Sequence, residues 1–419
     1  MLNISLNFIN NIKKKLFPFY KDKELKFVFN KIQEGFSPDT VTARFVGGCV
    51  RKYLSNDKID DIDIATTLSA EEIKEKFKNT SLKVIETGIK HGTVTLVTKK
   101  FNLEITTLRK DVQTDGRHAE VEYIDDWQLD SERRDFTINA IYLDINGKIF
   151  DPQRGTFDLK NNNVKFIGDP ETRIQEDYLR IIRLLRFAFQ YNSSNDKTTI
   201  DALKFNLTGL KNISKERIFI ELMKILSLKN FDNILEHKNK REIFLKVFPE
   251  LKNLERLHRL KMIKNVFKIK NYELLALLVI DSSENYEYFF YKYNISKNLK
   301  ETLKIYHECF KLINTNNAFF KTDLKKNIYF YGKKHLMFLN TLFFCDKLNY
   351  NKKIYLETNR MIVNAAIPKI KYDGLYLKNK GIIEGPVMGK ILKKIEVEWI
   401  KNNFEISDKI VEQIISRYN

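Results

Sequence analysis

The hydrophobic pattern changes its period once along this chain, near residue 170, and that change limits what the chain can fold into. Between residues 41 and 150, short β-branched runs such as TVTARFV, HGTVTLVT and FNLEITTL are separated by polar or helical stretches. Such alternation belongs to half-buried strands mixed with helices. Further on, RIQEDYLRIIRLLRFAFQY and SKERIFIELMKILSL repeat apolar residues at three- and four-residue spacing, with no Gly or Pro inside. That spacing predicts amphipathic helices. Residues 236–360 continue as basic, Leu- and aromatic-rich helices, a Gly/Pro cluster returns at 368–389, and a last helix is expected around Trp399. The expected fold class is α+β: an N-terminal mixed domain followed by a long helical body.

A chain of 419 residues is too long for one compact core, so two to four domains are expected. No apolar run reaches the length of a membrane span. The formal net charge is +19, which favours a polyanionic partner because each cation placed near a phosphate releases counterions. An abundance of Lys unrelated to binding would give the same figure. Residues 321–419 hold 19 Lys and Arg against 10 Asp and Glu, so nearly half the surplus lies in the last quarter. Cys49, Cys309 and Cys345 are far apart and lack metal-ligand spacing. They fit free thiols in a reducing compartment, and the expected location is cytoplasmic. The first 26 residues are basic and mildly amphipathic, readable as a short helix or, against their lack of Arg, a transit peptide.

Five constellations carry chemistry. In ARFVGGCVRKYL a β-rich run meets Gly47-Gly48 and a helix begins, which lets backbone amides approach a phosphate with Arg51 one turn in; a plain turn is the alternative. In IDDIDIATT, strand alternation places Asp61 and Asp63 on one face and Asp60 on the other. Two buried carboxylates side by side repel, and a divalent cation between them removes that cost; a solvated edge strand is the alternative. Glu104 stands between Leu103 and Ile105, and on a neighbouring strand it would complete a trio of carboxylates able to hold two metal ions. In DSERRDFTINAI, Arg133 and Arg134 beside Asp135 combine phosphate-binding forks with an acceptor for a ribose hydroxyl, or form a surface ion-pair cluster. In EDYLRIIRLLRF, Asp177, Arg180, Arg183 and Arg186 recur at three-residue spacing along one helix face, with more positive charge than neighbouring acids neutralise.

In that order these segments resemble class II CCA-adding tRNA nucleotidyltransferases and the related bacterial poly(A) polymerases, within the polymerase-β-like nucleotidyltransferase superfamily. The likeness is strong over residues 40–235 and weaker in GLYLKNKGIIEGPVMGKILKKIEVEWI. EITTLRKDVQTDGRHAEVEYIDDWQLDSERRDFTINAI and RIQEDYLRIIRLLRF look like the CCA-adding branch. The resemblance implies a nucleotidyltransferase head (25–165), a neck that recognises the nucleotide base (166–235), a helical body (236–335) and a tRNA-binding tail (336–419). It implies triphosphate contacts at Gly47, Gly48, Val50 and Arg51, and a metal-binding, catalytic Asp61 and Asp63 with Glu104 as third acid and Mg²⁺ as cofactor. It implies ribose and phosphate recognition at Arg133, Arg134 and Asp135. Glu176, Asp177 and Arg180 match the base-reading motif, with Arg183 and Arg186 behind, so that an Arg fork and a carboxylate replace a template in choosing CTP and ATP. Residues 109–119 match a flexible loop involved in the switch from C to A, and SKERI (214–218) a helix start that braces the head.

The implied function is template-independent addition of CCA to the tRNA 3′ end, with tRNA, CTP and ATP as partners and no membrane. An A-adding enzyme or poly(A) polymerase is the alternative, and a non-catalytic RNA-binding homologue a third. Lys52 stands where the family usually has Asp. His91 and His118 are set aside as general bases because metal ions would already activate the hydroxyl.

Overall fold

The computed structural model describes residues 18–88, 92–114 and 119–418. His91, His118 and the first 17 residues lie outside them. The chain divides into two compact units, one ending at Val247 and the other starting at Phe248.

The first unit begins with helix α1 (Lys23–Gln33), strand β1 (Ala43–Val46), helix α2 (Gly48–Leu54) and strand β2 (Ile62–Thr66). Helix α3 (Ala70–Phe77) leads to β3 (Lys83–Gly88), β4 (Thr93–Val97) and β5 (Asn102–Thr107). A hairpin of β6 (Arg109–Thr114) and β7 (Ala119–Tyr123) follows, then α4 (Trp127–Glu132), β8 (Tyr142–Leu143), β9 (Ile149–Phe150) and α5 (Gly155–Lys160). Thus the described part of the segment matched to a flexible loop, residues 109–114 and 119, lies in two paired antiparallel strands. The remaining helices are α6 (Pro170–Glu176), α7 (Leu179–Gln190), α8 (Lys197–Phe205), α9 (Lys215–Leu226) and α10 (Lys238–Val247).

Seven strands form one mixed sheet in the order β3-β4-β5-β2-β1-β8-β9. Among the described strands only β2 and β5 pair in parallel, and the α3–β3–β4 crossover supplies the long connection that parallel neighbours need. Alternation divides the sheet into unlike faces. Phe45, Ile62, Ile64, Val94, Leu96, Leu103 and Ile105 point one way and are buried. Helices α1 and α3 cover that face; α1 turns Leu25, Val28, Phe29 and Ile32 inward, and the Phe29 and Phe45 rings lie 4.5 Å apart. Truncating Phe45 to Ala would cost about 3–5 kcal/mol. A Ser69–Glu72 capping box fixes the start of α3. The opposite face carries Arg44, Val46, Asp63, Ala65, Glu104 and Thr106, in register across β1, β2 and β5.

The continuous helix expected over 173–191 is broken. Asp177 adopts an extended conformation (φ −153°, ψ 103°) between α6 and α7, and its side chain accepts from the Leu179 amide at 3.1 Å. A short acceptor that bonds the backbone two residues on competes with the helix ladder, and apolar spacing alone carries no trace of it. Asp177 therefore does not share a helix face with Arg180 and Arg183.

The second unit is helical among its described residues: α11 (Arg256–Met262), α12 (Asn271–Val279), α13 (Asn285–Tyr293), α14 (Lys297–Thr315), α15 (Leu324–Asp346), α16 (Lys352–Asn364), α17 (Gly374–Asn379), α18 (Pro386–Lys401) and α19 (Asp408–Ile415). Helix α15 is interrupted at Gly332, whose φ of 76° suits glycine. The Gly/Pro segment folds against α18 and α19, where Leu377, Ile391, Ile395 and Val411 are fully buried. The helix around Trp399 is followed by one more, α19, the last helix among the described residues. No described helix is long and apolar enough to cross a membrane.

Candidate active site

The polar face of the sheet, the glycine turn and helices α7 and α9 enclose a cleft of about 910 Å³. Gly47 ends β1 at φ 70°, ψ −127°, a conformation open to glycine alone among common residues. A Cβ at Gly47 would stand 3.4 Å from an Asp63 carboxylate oxygen. The Gly48 amide donates to that carboxylate. The turn and the strand carboxylate therefore form one unit, as the sequence order suggested.

Asp63 on β2 stands directly beside Glu104 on parallel β5. Asp61 immediately precedes β2, is exposed, and lines the same cleft. Burial pushes the Asp63 carboxyl above the usual carboxylate range, and the negative charges of Glu104 and Asp61 push it further, against the opposing pull of Arg134. Among the described residues no Lys or Arg forms an ion pair with Asp61, Asp63 or Glu104. Nor do three acidic, His or Cys side chains converge closely enough to hold a metal unaided. The donor set still fits a divalent cation. It offers hard carboxylate oxygens, mutually repelling and uncompensated, in a cleft open to further oxygen ligands. Asp60 is not part of that set: Lys52 holds it at 3.0 Å and Lys58 at 3.5 Å. The Lys that replaces the family's Asp is thus anchored at the rim of the cleft.

The arginines of the RRD segment are organised by a residue the sequence reading missed. Asp130, fully buried on α4, takes Arg133 Nε at 2.9 Å and Arg134 Nη2 at 2.9 Å. The Tyr142 hydroxyl donates to the same carboxylate at 2.7 Å. Burial opposes its ionisation, but the two guanidinium groups outweigh burial and hold the carboxyl well below the usual range. The clue in the sequence is spacing, since Asp130 lies three and four residues before the two arginines.

Asp135 has little left to offer a ribose. Its Oδ1 accepts from the Phe136 amide (2.9 Å) and Asn139 (2.7 Å), and its Oδ2 from Arg183 Nε (2.7 Å). Burial is outweighed by Arg183 and Asn139, which bring its carboxyl down to about 2. Asp135 therefore fixes Arg183 against the cleft.

Arg51 is buried, donating to the Tyr191 hydroxyl at 2.9 Å and to Asn139, and its guanidinium lies 4.6 Å from the centre of the Phe187 ring. Arg186 pairs with buried Glu221 of α9 at 2.7 Å, and Lys224 donates to the same carboxylate at 2.9 Å. Arg51, Arg134, Asp135, Arg183 and Arg186 all line the cleft.

Asp177 and Arg180 do not line it. Arg217, within the SKERI segment, holds Asp177 at 2.7 Å. Arg180 donates through Nη1 to Glu176 and to the Arg173 carbonyl. Its charge nevertheless acts on Asp135, which places it behind the Asp135–Arg183 pair.

Residues 43–165 match the family model of the poly A polymerase head domain, and residues 196–255 that of a probable RNA- and SrmB-binding site of polymerase A. The chain is 33% identical over 408 residues to the mitochondrial CCA tRNA nucleotidyltransferase 1 of Danio rerio, covering 92% of this chain and 91% of that one. It is 30% identical over 411 residues to the CCA-adding enzyme of Staphylococcus haemolyticus, covering 93% and 97%. Its fold is similar to that of the Bacillus stearothermophilus CCA-adding enzyme, solved in complex with CTP. The TM-score is 0.69 at 23% identity, covering 94% of this chain and 98% of that one. The Thermotoga maritima CCA-adding enzyme, solved with tRNA, gives 0.61 at 22% identity, covering 97% and 98%. On the strength of the full-length likeness to these relatives, the chain belongs to the CCA-adding tRNA nucleotidyltransferase family, a family of metal-dependent enzymes.

Proposed function

We propose that this enzyme adds C, C and A in turn to the 3′ end of tRNA, taking CTP and ATP as substrates without a template. The observation that carries the reading is the Asp63–Glu104 pair, which forms no ion pair among the described residues and adjoins the glycine turn at the wall of a cleft lined by cations.

In the transfer, the terminal 3′ hydroxyl of the RNA forms a bond to the α-phosphorus, the bond from that phosphorus to the β-bridging oxygen breaks, and pyrophosphate leaves. Gly47 and Gly48 allow the phosphate chain to approach the start of α2, where amides and the helix dipole favour negative charge. Arg134 and Arg183, each held by a buried carboxylate, present fixed positive charge to the nucleotide. Asp61 and Asp63, with Glu104, would hold divalent cations, which we read as Mg²⁺. Such ions lower the pKa of the attacking hydroxyl and neutralise the leaving group.

Base choice is assigned to Asp177 and Arg180 by their match to the family's motif; both lie beyond the lining of the cleft, so the base must reach past the Asp135–Arg183 pair to meet them. Arg217 and Glu176 fix both side chains in advance, and Nε and Nη2 of Arg180 make no hydrogen bond among the described residues. A preset fork and carboxylate can complement C and A edges while leaving U and G unpaired. The basic tail, from residue 336, would hold the tRNA backbone, with steep salt dependence and little sequence preference. Three buried free thiols accord with the reducing compartment expected from the sequence, read as the cytoplasm.

The test uses tRNA transcripts ending before CCA, after C and after CC, each offered CTP, ATP or both with Mg²⁺. Two C then one A, followed by arrest, establishes the reading. Addition of A alone, as a single residue or a long tail, replaces it with an A-adding or poly(A) activity.

A further inference from the structure

Three arginines surround the ring of Phe187 at the wall of the cleft. Their guanidinium carbons stand 4.0 Å (Arg186), 4.6 Å (Arg51) and 6.0 Å (Arg183) from its centre. Two of them have a carboxylate: Arg183 pairs with Asp135 at 2.6 Å and Arg186 with Glu221 at 2.7 Å. Arg51 is buried and forms no ion pair among the described residues. Its hydrogen bonds go to neutral oxygens, the Tyr191 hydroxyl and the Asn139 side-chain carbonyl. A buried guanidinium without a counter-charge is costly, and this one lines the cleft together with Gly47 and Gly48.

A counter-charge is close by, with Asn139 standing in front of it. The Asn139 amide nitrogen donates to Asp135 Oδ1 at 2.7 Å, while its carbonyl oxygen accepts from Arg51. The amide can point only one way, since turning it over would set NH2 against a guanidinium and a carbonyl against a carboxylate. Its backbone is held as firmly. Asn139 ends a 3-10 turn, Thr137–Asn139. Thr137 donates to Asp158 at 2.8 Å, and a Cβ on Gly155 would come within 2.0 Å of the Thr137 carbonyl oxygen. Helix α5 thus packs directly on the turn. The cations that act on Asp135 are Arg183 and, behind it, Arg180. An amide at 139 satisfies both neighbours and neutralises neither, whereas a carboxylate of the same shape would give Arg51 a partner.

We infer that Asn139 is a positioning residue for the incoming nucleotide, a neutral spacer that keeps Arg51 from pairing with Asp135 and leaves its positive charge to the phosphates beyond the first. The inference rests on the nucleotidyl-transfer reading above.

Asn139→Asp tests it by adding one charge at nearly constant shape. Dissociation constants for CTP and CMP come from competition against labelled CTP, with Mg²⁺ and without RNA, and do not depend on the fraction of protein that is folded. CTP should bind about tenfold or more weakly and CMP within about twofold of wild type, so that the preference for three phosphates over one shrinks. Asn139→Leu adds no charge and should keep that preference within about threefold. If Asn139→Asp does not fold beside Asp135, the double variant with Asp135→Asn carries the same expected loss. Equal weakening of CTP and CMP would leave Asn139 a shaping residue only and overturn the inference. So would an unchanged preference, or a loss in Asn139→Leu as large as in Asn139→Asp. Wild-type protein that binds CTP no better than CMP would instead overturn the reading of the cleft as a triphosphate site.

Discussion

Two groups of carboxylates in the first unit have had opposite fates. Asp130, Asp135 and Glu221 lie on helices or turns around the cleft, and each is bound by at least one arginine. Their charged forms are stabilised, strongly for Asp130 and down to about 2 for Asp135. Asp63 and Glu104 stand side by side on adjacent strands and form no ion pair among the described residues, with Arg134 acting on Asp63 only from a distance. The Asp63 carboxyl is pushed the other way. Paired carboxylates hold arginines in place, and their work is done within the fold. Repelling carboxylates, one of them (Asp63) partly buried, have no such return and persist where something positive is to be bound.

The comparison predicts opposite outcomes for similar substitutions. Asp63→Asn should reduce nucleotide incorporation by about three orders of magnitude or more, read by single-turnover extension of tRNA. It should also leave stability unchanged or raise the melting temperature by up to about 2–4 °C, because a charge costly to bury is gone. A marked fall in melting temperature would place Asp63 among the structural carboxylates. Asp130→Asn should do the reverse. It leaves two guanidinium groups without their buried partner, at a cost of about 3–5 kcal/mol in urea unfolding, and lowers activity through misplaced Arg134.

Acid titration sharpens the same contrast. A carboxylate whose pKa is depressed on folding contributes stability above its unfolded value, about 3.9, and that stability is lost as pH falls through the folded value. Asp135 should therefore support the fold fully above pH about 4 and lose its contribution toward pH 2. Asp135→Asn should flatten the stability curve in that window, monitored by circular dichroism. For the neck, Arg183→Ala should raise KM for CTP and ATP alike, whereas Arg180→Ala should change their ratio. Equal effects from both would remove the distinction between a nucleotide-holding and a base-reading arginine. The smallest expected change is Lys52→Ala, which breaks one exposed ion pair with Asp60. Surface pairs contribute under about 1 kcal/mol, so activity and melting temperature should stay near wild type.

Much of this site was legible in the sequence for one physical reason: a strand has a period of two. Alternation alone put Asp63 opposite Ile62 and Ile64, and set Glu104 apart from Leu103 and Ile105. The Gly47-Gly48 turn followed from residues that only a special backbone favours. The cleft's longer-range wiring was not legible. Asn139 meeting Arg51, Glu221 meeting Arg186 and Arg217 meeting Asp177 join residues 88, 35 and 40 positions apart, and no local pattern encodes such pairs. The break at Asp177 was hidden because apolar spacing continues through it, while the cause is a side-chain hydrogen bond to the backbone. Asp130 could have been found, since its spacing to Arg133 and Arg134 is a helical pairing pattern.

The most direct test of the distinction between the two carboxylate groups is manganese binding, counted by electron paramagnetic resonance in the presence of CTP. Wild-type protein and Asp135→Asn should bind the ion with similar affinity, and Asp63→Asn should lose at least one site. Equal binding by wild type and Asp63→Asn, with the loss appearing in Asp135→Asn, would contradict the assignment of the unpaired strand carboxylates as the cation seat.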